Sequence, residues 1–325
     1  MIAPEPILPR AVQRALASEL GAVLPAGWAA RVAVAGTGWD VVAWRVPALD
    51  GDWLVRVPRH DGALDPIEDQ TCLMRALVAR GLPVPTEPRM LRGAQGRALA
   101  GVYRFVDGGP AVPRGSAERD RLARHLGAFV SRLHAVDPAT LEGCRVRRYQ
   151  PWRDEFAPMV ERVAPTLPSG TAAWLRGRAE RLAELSTRLP PLVLVHADLK
   201  PNHVLLDGTG AIAGVLDFEG IPVTDPAFEF SRIAQNWDAG LARRVLAHYA
   251  LPADPELMVR AQAYLDFDVV AVLDSALRRP DMSGWVPRAR RMLGARASAQ
   301  SRRGGQPAAP ALAAAAPVRT AIDAL

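Results

Sequence analysis

The sequence predicts an α+β protein built from two lobes of different architecture. Three observations indicate this: the first third of the chain is rich in β-favouring stretches, a glycine- and proline-rich stretch follows at residues 107–110, and helical periodicity dominates after it. A chain of 325 residues is long enough for two such lobes. We therefore expect lobes at residues 1–106 and 107–296, followed by a low-complexity, disordered tail at residues 297–325.

The first lobe is predicted to hold a small antiparallel sheet and one helix. Runs of β-branched and aromatic residues indicate the strands, and an Asp50-Gly51 turn separates two of them. The helix has its apolar residues on one face, and Gly81 and Pro83 end it. The predicted strands lie at residues 31–35, 41–46, 53–57 and 100–106, and the predicted helix lies at residues 66–79.

The second lobe is predicted to be mainly helical. Its first helix carries Leu122, Leu126, Phe129 and Leu133 on one stripe. A hairpin interrupts the helices, because the Asp207–Gly210 turn separates two short β-rich runs. The predicted helices lie at residues 118–134, within 152–188 and within 226–296, and the predicted short strands lie at residues 192–195, 204–206 and 212–216.

Composition and charge exclude several classes of protein. The net charge is +6 and Lys200 is the only lysine, but the arginines are scattered among acids, which disfavours a nucleic-acid-binding surface. The apolar runs are far shorter than the roughly 18 residues of a membrane span. The first residues lack the pattern of a signal peptide. Cys72 and Cys144 are far apart and form no metal-binding spacing, so we expect two reduced thiols in a cytoplasmic protein.

The most informative residues follow the short strand at 192–195. Asp198 lies in His196-Ala197-Asp198, His203 comes five residues later, and Asp217-Phe218 follows the hairpin. Phosphoryl transfer needs a carboxylate beside the attacking hydroxyl, ligands for Mg²⁺ and cations near the phosphates. Two aspartates and a ligand at this spacing, joined by a hairpin that folds back, supply these parts. The bland alternative is a solvated loop with incidental carboxylates.

The pattern His-x-Asp-x-x-x-x-Asn/His followed by Asp-Phe/Trp resembles the catalytic and metal loops of kinase-like phosphotransferases. Protein kinases fit less well, because Glu219 stands where they have glycine. The run Pro222–Phe230 resembles the aminoglycoside and macrolide antibiotic phosphotransferases instead. His203 in place of asparagine is similar to both the macrolide phosphotransferases and the aminoglycoside 2″-phosphotransferases, and the motifs taken together are most similar to the macrolide group. The resemblance covers residues of about 25–290 and implies a bilobal, protein-kinase-like fold.

This resemblance implies a role for each motif residue. Asp198 would be the catalytic base, and Lys200 would steady the γ-phosphate unless it is a surface residue. Asp217 and His203 would bind Mg²⁺, although Mg²⁺ prefers oxygen, so His203 is either a ligand or a neighbour that orients one. Asp225 is better explained as a structural helix cap.

The first lobe would then bind the nucleotide, ATP or GTP. Gly36 and Gly38 resemble a glycine-rich phosphate loop, with a plain turn as the alternative. Arg56 occupies the position of the usual phosphate-binding lysine. The usual position of its acidic partner on the next helix holds Gln70; the nearest acids are Glu68 and Asp69, and we name Glu68 as the partner. The segment 102–106, with Tyr103 and Phe105, resembles the hinge that pairs with the purine.

The expected acceptor is a small-molecule antibiotic. A macrolide suits an apolar wall with few acids better than a polycationic aminoglycoside does, because the chain is net basic. An aminoglycoside, a basic peptide antibiotic, a choline-like, homoserine-like or fructosamine-like metabolite, and a pseudokinase that only binds nucleotide are the alternatives. The residues considered for the acceptor site are Glu219, Asp238, Asp266, Asp268, Asp274, Phe228, Trp237, Tyr264, Phe267 and Trp285.

Overall fold

A computed structural model describes residues 7–38, 40–141, 143–252 and 254–303, with side chains up to residue 299. The described residues divide into two compact units. The first comprises chain segments within 1–112, 139–146 and 202–221, and the second comprises the remainder. In chain order the helices and strands are α1 (Arg10–Leu20), β1 (Ala33–Thr37), β2 (Val41–Val46), β3 (Trp53–Pro58), α2 (Leu64–Ala79), β4 (Arg89–Arg92), β5 (Ala98–Arg104), β6 (Gly109–Pro110), α3 (Ser116–His134), α4 (Ala157–Val163), α5 (Ser169–Ser186), β7 (Val193–Leu194), β8 (Val204–Leu206), β9 (Ile212–Val215), β10 (Val223–Thr224), α6 (Ala227–Asn236), α7 (Ala239–Ala247), α8 (Leu257–Arg278) and α9 (Val286–Arg303).

A five-stranded antiparallel sheet forms the centre of the first unit, in the order β1-β2-β3-β5-β4. In β3 the buried residues Trp53, Val55 and Val57 alternate with more exposed ones, as expected of a strand with one face on a core. Helix α1 contributes Leu16 and Leu20 to the same core. The sequence reasoning missed α1, although its buried residues recur at helical spacing.

Helix α2 contacts the sheet where Gly101 of β5 leaves room for it. A Cβ atom on Gly101 would lie 2.7 Å from Cγ2 of Ile67, so a side chain there would displace the helix. Gln70, Thr71 and Met74 of α2 are buried. The helix therefore holds the side chain of Gln70 in a fixed place beside the sheet.

The two cysteines form a disulfide bond between α2 and the segment 139–146. The Cα atoms of Cys72 and Cys144 are 5.5 Å apart, so the expectation of two reduced thiols is wrong. Arg145 strengthens the attachment through an ion pair with Asp69 at 2.8 Å, and Arg80 donates to Thr140 Oγ1 at 2.6 Å. The separation of 72 residues along the chain hid this proximity from sequence reasoning.

A second, small sheet of the first unit carries the predicted hairpin. Strand β8 pairs with both β9 and β6, in the order β6-β8-β9. Gly109 and Pro110, expected to be a linker, thus form a short strand opposite Leu205 and Leu206. The hairpin turn is held by Asp207, whose Oδ1 accepts from the backbone of Thr209 and Ala211.

The second unit is mainly helical, as predicted. The aromatic residues of α6 and α8 form much of its core, and Phe156 stacks on Phe267 with ring centroids 5.2 Å apart. The short strands β7 and β10 pair in antiparallel fashion and lead into the motif residues. Leu122, Leu126, Phe129 and Leu133, predicted to share one stripe of α3, are all buried.

Helix α9 enters the segment that the sequence predicts to be a disordered tail. It continues to Arg303, and Leu293 and Ala297 are buried on it. Residues 304–325 of the predicted tail lie outside the described residues. Within the described part of the chain, no helix combines the length and apolar character needed to cross a membrane.

Candidate active site

The loop after β7 places Asp198 beside Lys200 in the second unit. The Nζ atom of Lys200 lies 3.1 Å from Oδ2 of Asp198, and both side chains are partly exposed. Ala197 has φ +65°, a left-handed conformation that is unfavourable for a residue with a Cβ atom. The loop therefore stores backbone strain next to the carboxylate that the sequence predicts to be the base.

A buried carboxylate forms a hydrogen bond with the backbone of the loop that carries Asp198. Glu229 of α6 is inaccessible to solvent, and its Oε2 accepts a hydrogen bond from the backbone N–H of His196 at 2.7 Å. His134 lies beside it, with Nε2 at 3.8 Å from Oε2 of Glu229 and Nδ1 at 2.9 Å from the hydroxyl of Tyr249. Sequence reasoning missed Glu229, although a single acid within the apolar run Ala227–Phe230 was the available signal.

Asp225 has the structural role that the sequence suggests. Its Oδ1 accepts from the backbone N–H of Ala227 at the start of α6, at 3.0 Å. The buried Arg260 donates to both carboxylate oxygens, at 2.7 and 3.0 Å, and the hydroxyl of Tyr264 donates to Oδ2 at 2.7 Å. Burial, together with the charge of Asp225, raises the pKa of Tyr264 well above its usual value. The carboxylate of Asp225 thus bonds both the start of α6 and two side chains of α8, which holds the two helices together.

In the first unit the hairpin brings His203 and Asp217 together. Nε2 of His203 lies 3.5 Å from Oδ2 of Asp217. The backbone N–H of Leu216 donates to the carbonyl of His203 at 2.7 Å, which holds the two ends of the hairpin in register. Asp217 also has φ +65°. The two predicted metal ligands, His203 and Asp217, therefore lie at the ends of one hydrogen-bonded hairpin, with a strained backbone at Asp217.

Arg56 of β3 contacts three polar side chains of the first unit. Its Nη2 donates to Oε2 of Glu219 at 2.9 Å, and its Nη1 lies 3.3 Å from Oδ1 of Asp217 and also donates to Gln70. Burial by itself would lower the pKa of Arg56, but Tyr103 and the two carboxylates raise it overall. Burial also raises the pKa of Glu219, against the opposing charge of Arg56.

The structure corrects the expected partner of Arg56. Glu68 points elsewhere and pairs with Arg92 at 3.6 Å. The carboxylates that Arg56 contacts come from the loop after β9, because the position facing it on α2 holds the neutral Gln70. Only the fold could reveal this, since Arg56 and Glu219 are 163 residues apart.

The remaining residues expected to bind nucleotide lie in strands β1 and β5 of the large sheet or directly after them. Gly36 is the penultimate residue of β1, and the N–H of Gly38 donates to the carbonyl of Val41 at 2.8 Å, which closes a turn. Trp39, which follows it, lies outside the described residues. Tyr103 is buried, whereas Phe105 contacts the guanidinium of Arg45 at 4.2 Å.

The backbone of the expected hinge is already partly engaged. The N–H of Phe105 donates to the carbonyl of Asp52 at 2.9 Å, and the N–H of Arg104 donates to that of Thr86 at 2.9 Å. A purine that pairs with this segment through the N–H of Phe105 would have to displace Asp52. That residues 102–106 pair with the purine therefore stays a prediction, and pairing through the N–H of Phe105 requires its hydrogen bond to Asp52 to break.

Comparison with known proteins gives one family and a consistent fold. The profile of the Phosphotransferase enzyme family matches residues 31–263. A homoserine kinase of Methylocella silvestris is 33% identical over 171 residues, which is 51% of this chain and 51% of that protein. The chain spans about half the length of the curated relatives it matches.

Two solved structures illustrate the likeness in fold. The GDP complex of aminoglycoside 2'-phosphotransferase-IIIa is 21% identical with a TM-score of 0.71, covering 89% of this chain and 98% of that one. The apoenzyme of a macrolide 2'-phosphotransferase from Brachybacterium faecium is 22% identical with a TM-score of 0.64, covering 84% and 96%. The prediction of a kinase-like α+β fold is confirmed.

Proposed function

The chain belongs to the Phosphotransferase enzyme family, and from this premise we propose that it transfers the γ-phosphoryl group of ATP or GTP to a hydroxyl of a small molecule. The observation that carries the proposal is the Asp198–Lys200 pair. It lies on a loop with a strained backbone at Ala197, and the buried carboxylate of Glu229 accepts a hydrogen bond from this loop. The relatives include nucleotide complexes of antibiotic phosphotransferases and a homoserine kinase, which supports the class of reaction.

The proposed step uses Asp198 as the base. Its carboxylate accepts the proton of the acceptor hydroxyl while the hydroxyl oxygen forms a bond to the γ-phosphorus. The bond from that phosphorus to the bridging oxygen breaks, and its electron pair leaves with the nucleoside diphosphate. Lys200, 3.1 Å from Asp198, would offset charge on the transferring group.

The donor atoms of the hairpin fit a divalent cation. Asp217 offers the carboxylate oxygen that Mg²⁺ prefers, and His203 is close enough to bind the same ion or to orient the carboxylate. When bound, Mg²⁺ would neutralise charge on the phosphate oxygens. Arg56, held by Glu219, would contact those oxygens from the sheet.

For the acceptor we propose a macrolide sugar hydroxyl. The acids that the sequence offers for this role all pair with arginine: Glu219 with Arg56, Asp238 with Arg119, Asp266 with Arg178, Asp268 with Arg232 and Asp274 with Arg162. Outside the group around Arg56, where Asp217 adds a second carboxylate, little negative charge is thus left uncompensated for a polycationic aminoglycoside. Phe228, Tyr264 and Phe267 belong to the core, which leaves the partly exposed Trp237 and Trp285 as the apolar contacts.

A homoserine-like metabolite is the second candidate, because curated relatives carry the name homoserine kinase.

One experiment separates the candidates. The chain is incubated with ATP or GTP and Mg²⁺ together with a macrolide, an aminoglycoside, a basic peptide antibiotic or homoserine. Mass spectrometry should show a gain of about 80 Da, one phosphoryl group, on the macrolide. A gain on another acceptor alone would overturn the substrate, and nucleotide binding without any product would favour a pseudokinase.

A further inference from the structure

Arg56 has more negative charge around it than its own charge can balance. Its side chain is 12% exposed and contacts two carboxylates, Asp217 at 3.3 Å and Glu219 at 2.9 Å. The third partner, Gln70 of α2, is neutral. One guanidinium and two carboxylates leave a formal charge of −1 on this group of side chains.

That excess charge opposes a phosphate ligand. A nucleotide without metal would meet a guanidinium whose Nη1 and Nη2 already contact Gln70, Asp217 and Glu219, next to a carboxylate that repels phosphate oxygens. Within Arg56 the two nitrogens differ. Nη2 serves Glu219, whereas Nη1 is divided between Gln70 and the longer contact to Asp217. A cation on Asp217 would therefore release the N–H of Nη1 that faces Asp217, while Nη1 still donates to Gln70 and Nη2 still donates to Glu219.

We propose that Glu219 is a positioning residue that makes nucleotide binding depend on the divalent cation. It holds Arg56 in place through Nη2, and its charge keeps metal-free nucleotide out. When Mg²⁺ occupies Asp217, the net charge of the group changes from −1 to +1, and the N–H of Nη1 that faced Asp217 can donate to a phosphate oxygen. This inference rests on the proposed function, because it assumes that nucleotide and metal bind at these residues.

Calorimetry with ADP, in the presence and absence of Mg²⁺, tests the proposal on the full chain. Glu219→Gln keeps the size of the side chain and an acceptor oxygen for Arg56 but removes the charge. We expect metal-free ADP to bind about tenfold more tightly to this variant, within the usual range of coupling between ligands, and the enhancement by Mg²⁺ to shrink by the same factor. The variant should not lose stability, which thermal unfolding checks.

Glu184→Gln is the matched control. Glu184 also pairs with an arginine, Arg181, but lies in the helical unit on α5 and is largely exposed. We expect its ADP binding to equal that of the parent with and without metal. A second variant, Gln70→Glu combined with Glu219→Gln, returns a carboxylate to Arg56 from α2 and should restore the dependence on metal.

The outcomes separate this inference from the proposed function. If the parent shows metal-enhanced ADP binding and Glu219→Gln keeps the full enhancement, Glu219 does not couple the two ligands and the proposal is overturned, while the phosphotransferase assignment stands. If the parent binds no ADP even with Mg²⁺, both fail. A restored dependence in the double variant supports the role of charge at Arg56 rather than of one particular loop.

Discussion

Among the candidate functional residues and their neighbours, two non-glycine residues adopt the left-handed conformation that usually favours glycine. Ala197 precedes Asp198, and Asp217 itself carries the expected metal ligand. Each such conformation costs about 1 kcal/mol or more, and it persists only where the surroundings enforce it. Here the carboxylate of Glu229 holds the backbone N–H of His196, and the carbonyl of His203 holds that of Leu216. These hydrogen bonds hold the backbone next to the two strained residues and so help to fix the positions of the Asp198 and Asp217 carboxylates.

Asp198→Asn should stop phosphoryl transfer while leaving nucleotide binding intact. The amide has the size of the carboxylate but accepts no proton, and loss of a general base lowers turnover on the order of 10²–10⁴-fold. Steady-state turnover and calorimetry with nucleotide measure the two effects. Asp120→Asn, which alters an exposed aspartate paired with Arg244, is the control and should behave as the parent. Turnover near that of the parent in Asp198→Asn would mean that another group is the base.

Sequence spacing could nominate Asp198, His203 and Asp217, because they lie within one short stretch of chain. It could not identify the residues that hold them. Glu219 reaches Arg56 across 163 residues, and Glu229 reaches His196 across 33. Local motifs are read along the chain, whereas supporting contacts are made through packing.

At the scale of elements, α8 contacts its neighbours through paired charges as well as apolar residues. Asp274 is 1% exposed and accepts from Nε and Nη2 of Arg162 on α4, at 2.7 and 2.9 Å. Arg278 of α8 lies 3.0 Å from the same carboxylate. The carboxylate thus ties α4 to α8 in a position where a lost partner would leave a buried group unsatisfied.

Asp274→Asn should destabilise the fold by about 1–2 kcal/mol at neutral pH, since Arg162 is half-exposed and solvent weakens its contribution. Hydrogen bonding to Arg162, against the effect of burial, lowers the pKa of Asp274. Its stabilising effect is therefore present above the ordinary aspartate pKa of about 3.9 and is lost as pH falls toward the lowered value. Urea unfolding at several pH values should show the difference between parent and variant closing below about pH 4. A difference that stays constant there would contradict the ionic origin.

Most elements follow from their patterns, and the exceptions have physical reasons. Strand β2 lies at Val41–Val46, where its β-branched residues predict it. Helix α1 was missed because prolines surround it in the sequence, although its core residues are spaced for a helix. Strand β4 contains two arginines and lies at the edge of the large sheet, paired with β5, so its strand character comes from the neighbour rather than from its own residues.

At the scale of the whole molecule, the compact units do not coincide with continuous stretches of chain. Residues 139–146 and 202–221 belong to the first unit, although helices of the second unit precede and follow them. Composition along the chain shows where strands give way to helices, but it does not show a return to an earlier unit. The hairpin at Val204–Val215 could be predicted as a hairpin, whereas its attachment to Gly109–Pro110 could not.

The Cys72–Cys144 bond has a topological consequence. It closes residues 72–144 into a macrocycle, and the chain passes from the first unit to the second and back again inside that ring. A single cut within the ring would not release a fragment, because the bond would still join the two pieces. A site-specific protease sequence inserted after the exposed Arg114 tests this. The cleaved protein should migrate as one band on a denaturing gel without reductant and as two bands with it. Two bands without reductant would show that the ring is open.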